Sequence, residues 1–90
     1  GLLQAWLERH KEYPRLARRR GMEGEVLLRF VMDRNGQVLE FAIERSSGHA
    51  LLDQEAERMI ERAQPLPAMP ADLAGDRLQL VVPLVFSLYR

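Results

Sequence analysis

Every even-numbered position from Leu78 to Leu88 is apolar: Leu78, Leu80, Val82, Leu84, Phe86 and Leu88. A period of two sustained over this length describes a β-strand with one fully buried face. Pro83 stands in the middle of it. Proline has no N–H to give to a ladder and is confined to edge strands and bulges. Any sheet built with this segment must therefore place it at a margin. A long margin with unpaired backbone groups is able to recruit another strand.

The remainder of the chain supplies the partners. Leu2, Leu3, Trp6, Leu7 and His10 recur at helical spacing and predict an amphipathic helix over 2–12, stopping before Pro14. Pro14 suits the first turn of a second, short helix, with Leu16 and Ala17 expected inward, Arg18 to Arg20 at its carbonyl end and Gly21 as a left-handed cap. Val26, Leu28, Phe30 and Met32 alternate with Glu25, Leu27, Arg29 and Val31 as a first strand. Asp33-Arg34-Asn35-Gly36 then predicts a hairpin turn, because Asn35 and Gly36 both tolerate positive φ. A second strand is expected from Val38 to Ser46 with Leu39, Phe41 and Ile43 inward. Val38 breaks that parity, so a bulge is expected near Glu40. Leu52, Ala56, Met59, Ile60 and Ala63 form the apolar stripe of a helix starting near Leu51, and Glu55, Glu57, Arg58, Glu61 and Arg62 cover its other side. Pro65, Pro67 and Pro70 make an extended connector into a loop at 71–76. The resulting fold is α+β with two layers: a three-stranded antiparallel sheet of order 2-1-3 packed against helices, with an extra N-terminal helix. Strands two and three are its edges, which satisfies Pro83.

Composition narrows function more by exclusion. Ninety residues make one domain, and the net charge is zero. That zero hides an asymmetry. Residues 1–20 carry Arg9, Lys11, Arg15, Arg18, Arg19 and Arg20 against Glu8 and Glu12, a net +4 offset by −4 in the rest, so the N-terminal end presents a basic surface. The absence of cysteine removes disulfides, thiolate catalysis and Cys-based zinc sites. No stretch is long and apolar enough to span a bilayer, and no signal peptide is visible. Gly1 opens the chain inside an amphipathic pattern without an initiator Met, so a fragment of a longer protein is expected.

Chemistry has little footing. Ser46, Ser47 and His49 are close in sequence, but no nucleophile elbow accompanies them and Ser-Ser-Gly reads as a turn whose hydroxyls bond local backbone. His10 and His49, the only histidines, belong to no metal motif, so no metal and no cofactor is expected. Phe30, Phe41 and Phe86 fall on inward faces and Tyr89 at the chain end, which leaves no aromatic platform for nucleic acid. Strand addition to the last strand remains. At roughly 1 kcal/mol net per hydrogen bond, a pairing of this length binds in the micromolar range or more weakly. A second copy of the chain could take the same edge as a homodimer.

The ordered set Tyr13-Pro14, Ala17, Gly21, Glu23-Gly24, Val26, Phe30, Asp33, Asn35-Gly36, Val38, Ser46-Ser47-Gly48, Leu52-Asp53, Ala56, Pro65, Pro67, Val82-Pro83 and Phe86 resembles the C-terminal domain of the TonB energy transducer family. The resemblance spans Tyr13 to Leu88, with 2–12 as a leading helix and 13–90 as the core. It implies a non-enzymatic periplasmic domain, anchored to the inner membrane through an N-terminal helix and a Pro-rich linker. It further implies a grip on the TonB box of outer-membrane transporters, with ExbB and ExbD delivering proton-gradient energy for uptake of siderophores, haem or cobalamin. Carried onto this chain, the box strand pairs along Gln79, Leu80, Val81, Val82, Pro83, Leu84, Val85, Phe86 and Ser87. Arg9, His10, Lys11, Tyr13, Pro14 and Arg15 are the implied contacts to the transporter plug. The family's glutamine-containing stretch before Tyr-Pro is here Arg9-His10-Lys11-Glu12. The rival reading is a TolA-like structural or signalling module of the envelope.

Overall fold

Strand β1 (Gly24–Asp33) carries the apolar alternation that both other strands need, and it takes the centre of the sheet. In the computed structural model, which describes residues 2–88, it pairs with β2 (Val38–Arg45) on one side and β3 (Arg77–Phe86) on the other. Both pairings are antiparallel and the order is β2-β1-β3, so Pro83 lies on an edge strand. Three helices cover one face: α1 (Leu2–His10), α2 (Arg15–Arg19) and α3 (Ala50–Arg62). Leu7, Ala17, Leu52, Ala56, Met59 and Ile60 from the helices meet Val26, Leu28, Phe30, Met32, Val82, Leu84 and Phe86 from the sheet. Burial of each larger side chain contributes about 1.5–3 kcal/mol. That shared core holds helices as short as α2, which their own propensity would not sustain.

Local signals explain the element ends. Pro14 precedes α2, and Gly21 closes it at φ 66°. There the Gly21 N–H donates to Arg18 O (3.2 Å) and the Met22 N–H to Ala17 O (2.9 Å), the paired bonds of a left-handed helix stop. Leu16, expected inward, is 39% exposed, because a helix this short turns only one residue, Ala17, to the core. At the hairpin only Gly36 takes positive φ (89°), not Asn35. Asp33 Oδ1 accepts from the N–H groups of Asn35 and Gln37 (both 2.9 Å), which holds the turn without a second left-handed residue.

Strand β2 departs from simple alternation. Met32 pairs with Val38 and Val31 with Glu40, which leaves Leu39 as the extra residue of a bulge. The bulge turns Val38 onto the core side and leaves Leu39 45% exposed, against its expected inward position. Phe41 lies opposite Phe30, on the expected face, but at the uncovered margin of the sheet it stays 37% exposed. A second irregularity skips Glu44, and β2 ends at Arg45. Strand β3 ends at Phe86. Leu88 lies beyond it, half-buried, with its N–H on Glu23 Oε2 (2.8 Å).

The proline-rich connector folds back as part of the core. Leu66 and Met69 are buried, and their N–H groups donate to Gly36 O (2.8 Å) and Arg34 O (3.2 Å) at the hairpin. The Arg34 guanidinium in turn donates to the carbonyls of Pro70, Leu73 and Gly75 at 2.5–3.1 Å, shaping the loop into β3. Gly36 has no room to change: a Cβ there would sit 1.9 Å from Leu66 O, at a φ that side chains avoid. Gly36→Ala is expected to destabilise the domain by about 2 kcal/mol or more, read as a lower urea midpoint with an unchanged m-value.

Candidate functional site

The outer edge of β3 is built by backbone parity. In an antiparallel pair each residue turns its N–H and C=O to the same side, and successive residues alternate. The Asp33 N–H donates to Gln37 O, so odd-numbered residues of β1 face β2 and even-numbered ones face β3. The β1–β3 register runs without a break from Gly24↔Phe86 to Asp33↔Arg77. Even-numbered residues of β3 therefore bond to β1, and Gln79, Val81, Pro83 and Val85 turn their backbone groups outward. The nitrogen that lacks a hydrogen points out of the sheet, and Pro83 costs the β1 ladder nothing.

Side chains on this strand follow the same parity in the other dimension. Val82, Leu84 and Phe86 are buried under the helices, while Val81 and Val85 are each 48% exposed on the opposite face. There they lie opposite Arg29 and Glu25 of β1, with Leu27, opposite Pro83, diagonal to both. On the β2 side the same face is polar, with ion pairs Arg29–Glu44 (2.9 Å) and Glu25–Arg45 (3.4 Å). The apolar strip of the outer face thus borders the free edge.

Helix α1 runs beside β3 in the same direction. Leu2 and Leu3 line an apolar cleft of about 250 Å³ with Met32, Met69, Leu78 and Leu80 at the start of the strand. Further along, Gln4 Nε2 donates to Pro83 O (2.8 Å) and Lys11 Nζ to Val85 O. Gln4, Glu8 and Lys11 are spaced i, i+4, i+7 and form a polar stripe distinct from the one that buries Leu7. The helix is held independently of that stripe: Leu7 is fully buried and Trp6 Nε1 donates to Ala63 O (2.8 Å).

The segment Arg9 to Arg15 lies at the end of α1 and is pinned from α3. Glu55, expected on the outer side of its helix, is instead buried, because it accepts from the Glu12 N–H (2.8 Å) and pairs with Arg62, which also donates to His10 O (2.9 Å). The Glu55 carboxylate raises the Arg62 guanidinium further above its ordinary value, against the opposing effect of burial. Lys11 is largely enclosed, paired with Glu8 (2.7 Å) and set over the Phe86 ring (5.2 Å). The His10 ring meets Trp6 O (2.8 Å). The Tyr13 hydroxyl donates to Met22 O, with its ring edge-on to Phe86 (5.5 Å), and burial raises its pKa. Pro14 is half-buried, while Arg9 and Arg15 are exposed. The structure thus brings β3 and this segment together at one side of the domain, but leaves only part of the basic set free. Gln4 is the edge residue that sequence reading missed; its signal was the polar i, i+4, i+7 stripe on α1.

Ser46, Ser47 and His49 form the approach to α3. Both hydroxyls donate to the Asp53 carboxylate, at 2.5 and 2.8 Å, and accept from the N–H groups of Gly48 and His49 (each 3.0 Å). Their arrangement is the local turn bonding expected, closed by a carboxylate in the first helical turn. Tyr89 lies outside the described residues.

Comparison with known proteins agrees with this architecture. The family model for the C-terminal domain of Gram-negative bacterial TonB protein matches residues 9–88. Protein TonB of Pseudomonas putida is 42% identical over 85 residues, covering 93% of this chain and 35% of the relative. Protein tonB2 of Pseudomonas aeruginosa is 43% identical over 77 residues, covering 86% of this chain and 28% of the relative. The chain therefore spans about a third of the length of these curated relatives. Among solved structures, the TonB C-terminal domain of Helicobacter pylori superposes with a TM-score of 0.82 at 28% identity, covering 99% of this chain and 79% of that one. The C-terminal domain of HasB superposes with a TM-score of 0.62 at 38% identity, covering 96% and 66%.

The Asp53 lock sets a pH dependence. Burial acts to raise the Asp53 pKa, but the bonds from Ser46 and Ser47 and the nearby His49 outweigh it, and the net shift is downward. A carboxyl lowered in the folded state stabilises above its unfolded value and loses that contribution as pH falls through the folded value. Asp53→Asn is expected to lower stability at neutral pH and to lose less than the parent chain between about pH 5 and pH 2, measured by urea denaturation across that range.

Proposed function

The chain belongs to the family of C-terminal domains of Gram-negative bacterial TonB proteins, and from that premise we propose that its β3 edge takes up the TonB box of an outer-membrane transporter by strand addition. One observation carries this reading: the outward-facing backbone groups of Gln79, Val81, Pro83 and Val85 on an edge strand of unbroken register. A partner strand would find donors at Gln79, Val81 and Val85 and open acceptors at Gln79 and Val81, those of Pro83 and Val85 being bonded to Gln4 and Lys11. Its side chains on the outer face would extend the strip formed by Val81 and Val85, where β-branched residues pack well across strands. Leu80, Val82, Leu84 and Phe86 keep the strand in register through the core, and Ser87 lies just beyond it.

The segment from Arg9 to Arg15 would face the transporter's plug. Exposed Arg9 and Arg15, with Arg18 to Arg20 behind them, carry the positive charge that orients an approach. His10, Lys11, Tyr13 and Pro14 give the segment its shape. In the full-length protein an inner-membrane anchor and the ExbB and ExbD proteins would deliver proton-gradient energy to this domain in the periplasm, for uptake of siderophores, haem or cobalamin. The whole is a mechanical role without a reaction step.

At roughly 1 kcal/mol net per hydrogen bond, addition along this edge falls short of the roughly −8 kcal/mol of a micromolar complex once ordering of the peptide is subtracted, so side-chain contacts must supply the rest and binding is expected in the micromolar range or weaker. Titrating the isotope-labelled domain with a TonB-box peptide should move the amide resonances of Gln79, Val81 and Val85 first. Shifts confined to the surface of α3 would overturn the reading. Val85→Pro, which removes an outward donor and no bond to β1, should weaken binding about tenfold at little cost in stability. Leu84→Pro should instead unfold the strand, because that N–H serves the ladder.

A further inference from the structure

The edge of β3 is not uniform. Its first half, Gln79 and Val81, turns out both donors and acceptors, and among the described residues neither has an α1 side chain bonded to it. Its second half is occupied. Pro83 O is held by Gln4 Nε2 of α1 at 2.8 Å and Val85 O by Lys11 Nζ, from the residue just past the end of α1, which stops at His10 and not at the expected residue 12. Pro83 offers no N–H. Val85 is therefore the one β3 residue that still turns a donor outward beyond Pro83.

We propose that Gln4 and Lys11 are resident ligands of the carboxyl-terminal half of the β3 edge, and that a partner strand gains this half only by displacing them. The inference rests on the strand-addition reading and adds to it a determinant of affinity outside β3. A partner N–H approaching Pro83 O or Val85 O must come within about 3 Å of the oxygen, in the plane of the sheet. The Gln4 amide already holds that distance at Pro83. Each side chain already occupies an acceptor site of its carbonyl, so the donor of an added strand competes with it at these atoms. Displacement is feasible without moving the helix, because α1 is anchored elsewhere, by buried Leu7 and by Trp6 on Ala63 O. Lys11 keeps Glu8 as a partner after it leaves Val85. The partner this surface fits is an extended segment long enough to run past Pro83, since a shorter one would pair only where the edge is already free.

The double variant Gln4→Ala/Lys11→Met tests the proposal. A TonB-box peptide of about nine residues, ~30 Å when extended, reaches both halves of the edge. Its dissociation constant, measured by fluorescence anisotropy, should fall about fivefold or more in the variant. A peptide truncated to pair with Gln79 and Val81 alone should bind parent and variant equally. The Trp6 indole N–H resonance reports whether α1 stays docked; if the double variant disturbs it, Gln4→Ala alone serves, with a smaller gain expected. Equal affinity of the long peptide for parent and variant, with the Val81 and Val85 amides still responding, overturns displacement while leaving strand addition intact. No response of those amides in either protein overturns both.

Discussion

One missing hydrogen organises this domain. Pro83 cannot donate, so the side of β3 on which its nitrogen lies cannot be the side that bonds β1. Backbone parity then carries the consequence along the strand: even-numbered residues bond inward and odd-numbered residues face out. Because side chains alternate with the same period, the even set is also the set buried under the helices. A shift of register by one residue would fail twice. It would turn Val82, Leu84 and Phe86 to solvent and bring a nitrogen without hydrogen into the β1 ladder. Proline and the apolar alternation thus enforce one register, and that register leaves β3 free on its outer side.

The free side raises a problem that the rest of the fold answers. An edge strand with unpaired groups invites association with any extended chain. Here proline removes one donor, and Gln4 of α1 and Lys11 just past its end bond two of the carbonyls. Those contacts depend on where α1 is placed, which depends on Leu7 in the core, on Trp6 reaching Ala63 O and on Arg62 and Glu55 pinning the chain that leaves the helix. The Glu55–Arg62 pair acts here mainly as a positional device. Burying a carboxylate is costly unless it is paired, and its value lies in fixing the Glu12 N–H and the His10 carbonyl at once.

How far the fold could be read from the residues depended on whether a local rule met a tertiary one. Sheet order, the edge position of β3, the Gly21 helix stop and the stripe of α3 followed from periodicity and proline, both of which act within a few residues. Leu39 was misplaced because a bulge changes parity at one residue, and only the pairing with Met32 and Val31 shows which one. Leu16 was misplaced because a helix as short as α2 has too few turns to show a stripe. The burial of Leu66 and Met69 was hidden for another reason. A proline-rich connector has no periodicity, and its docking rests on backbone bonds to the hairpin that no side-chain pattern announces. At the edge itself, the strand was legible, whereas which of its residues turn outward, and the bond from Gln4 to Pro83 O, were not. A glutamine on a solvated helix face looks like any other until the helix is laid beside a carbonyl in need of a donor.

On the strand-addition proposal, the same edge must be closed enough to avoid nonspecific pairing and open enough to accept a strand. The two halves of β3 divide these demands. At Gln79 and Val81 the backbone is complete in donors and acceptors, which favours a first contact. At Pro83 and Val85 one donor is absent and two acceptors are engaged, which penalises any partner too short or too poorly matched to replace what it removes. Selectivity by such a device does not require a deep pocket. It requires that the correct strand recover, over its full length, more hydrogen bonding and apolar contact than the resident side chains give up. The exposed valines matter at this point: Val81 and Val85 reward a partner with packing on the outer face, and a strand that pairs by backbone alone gains nothing from them.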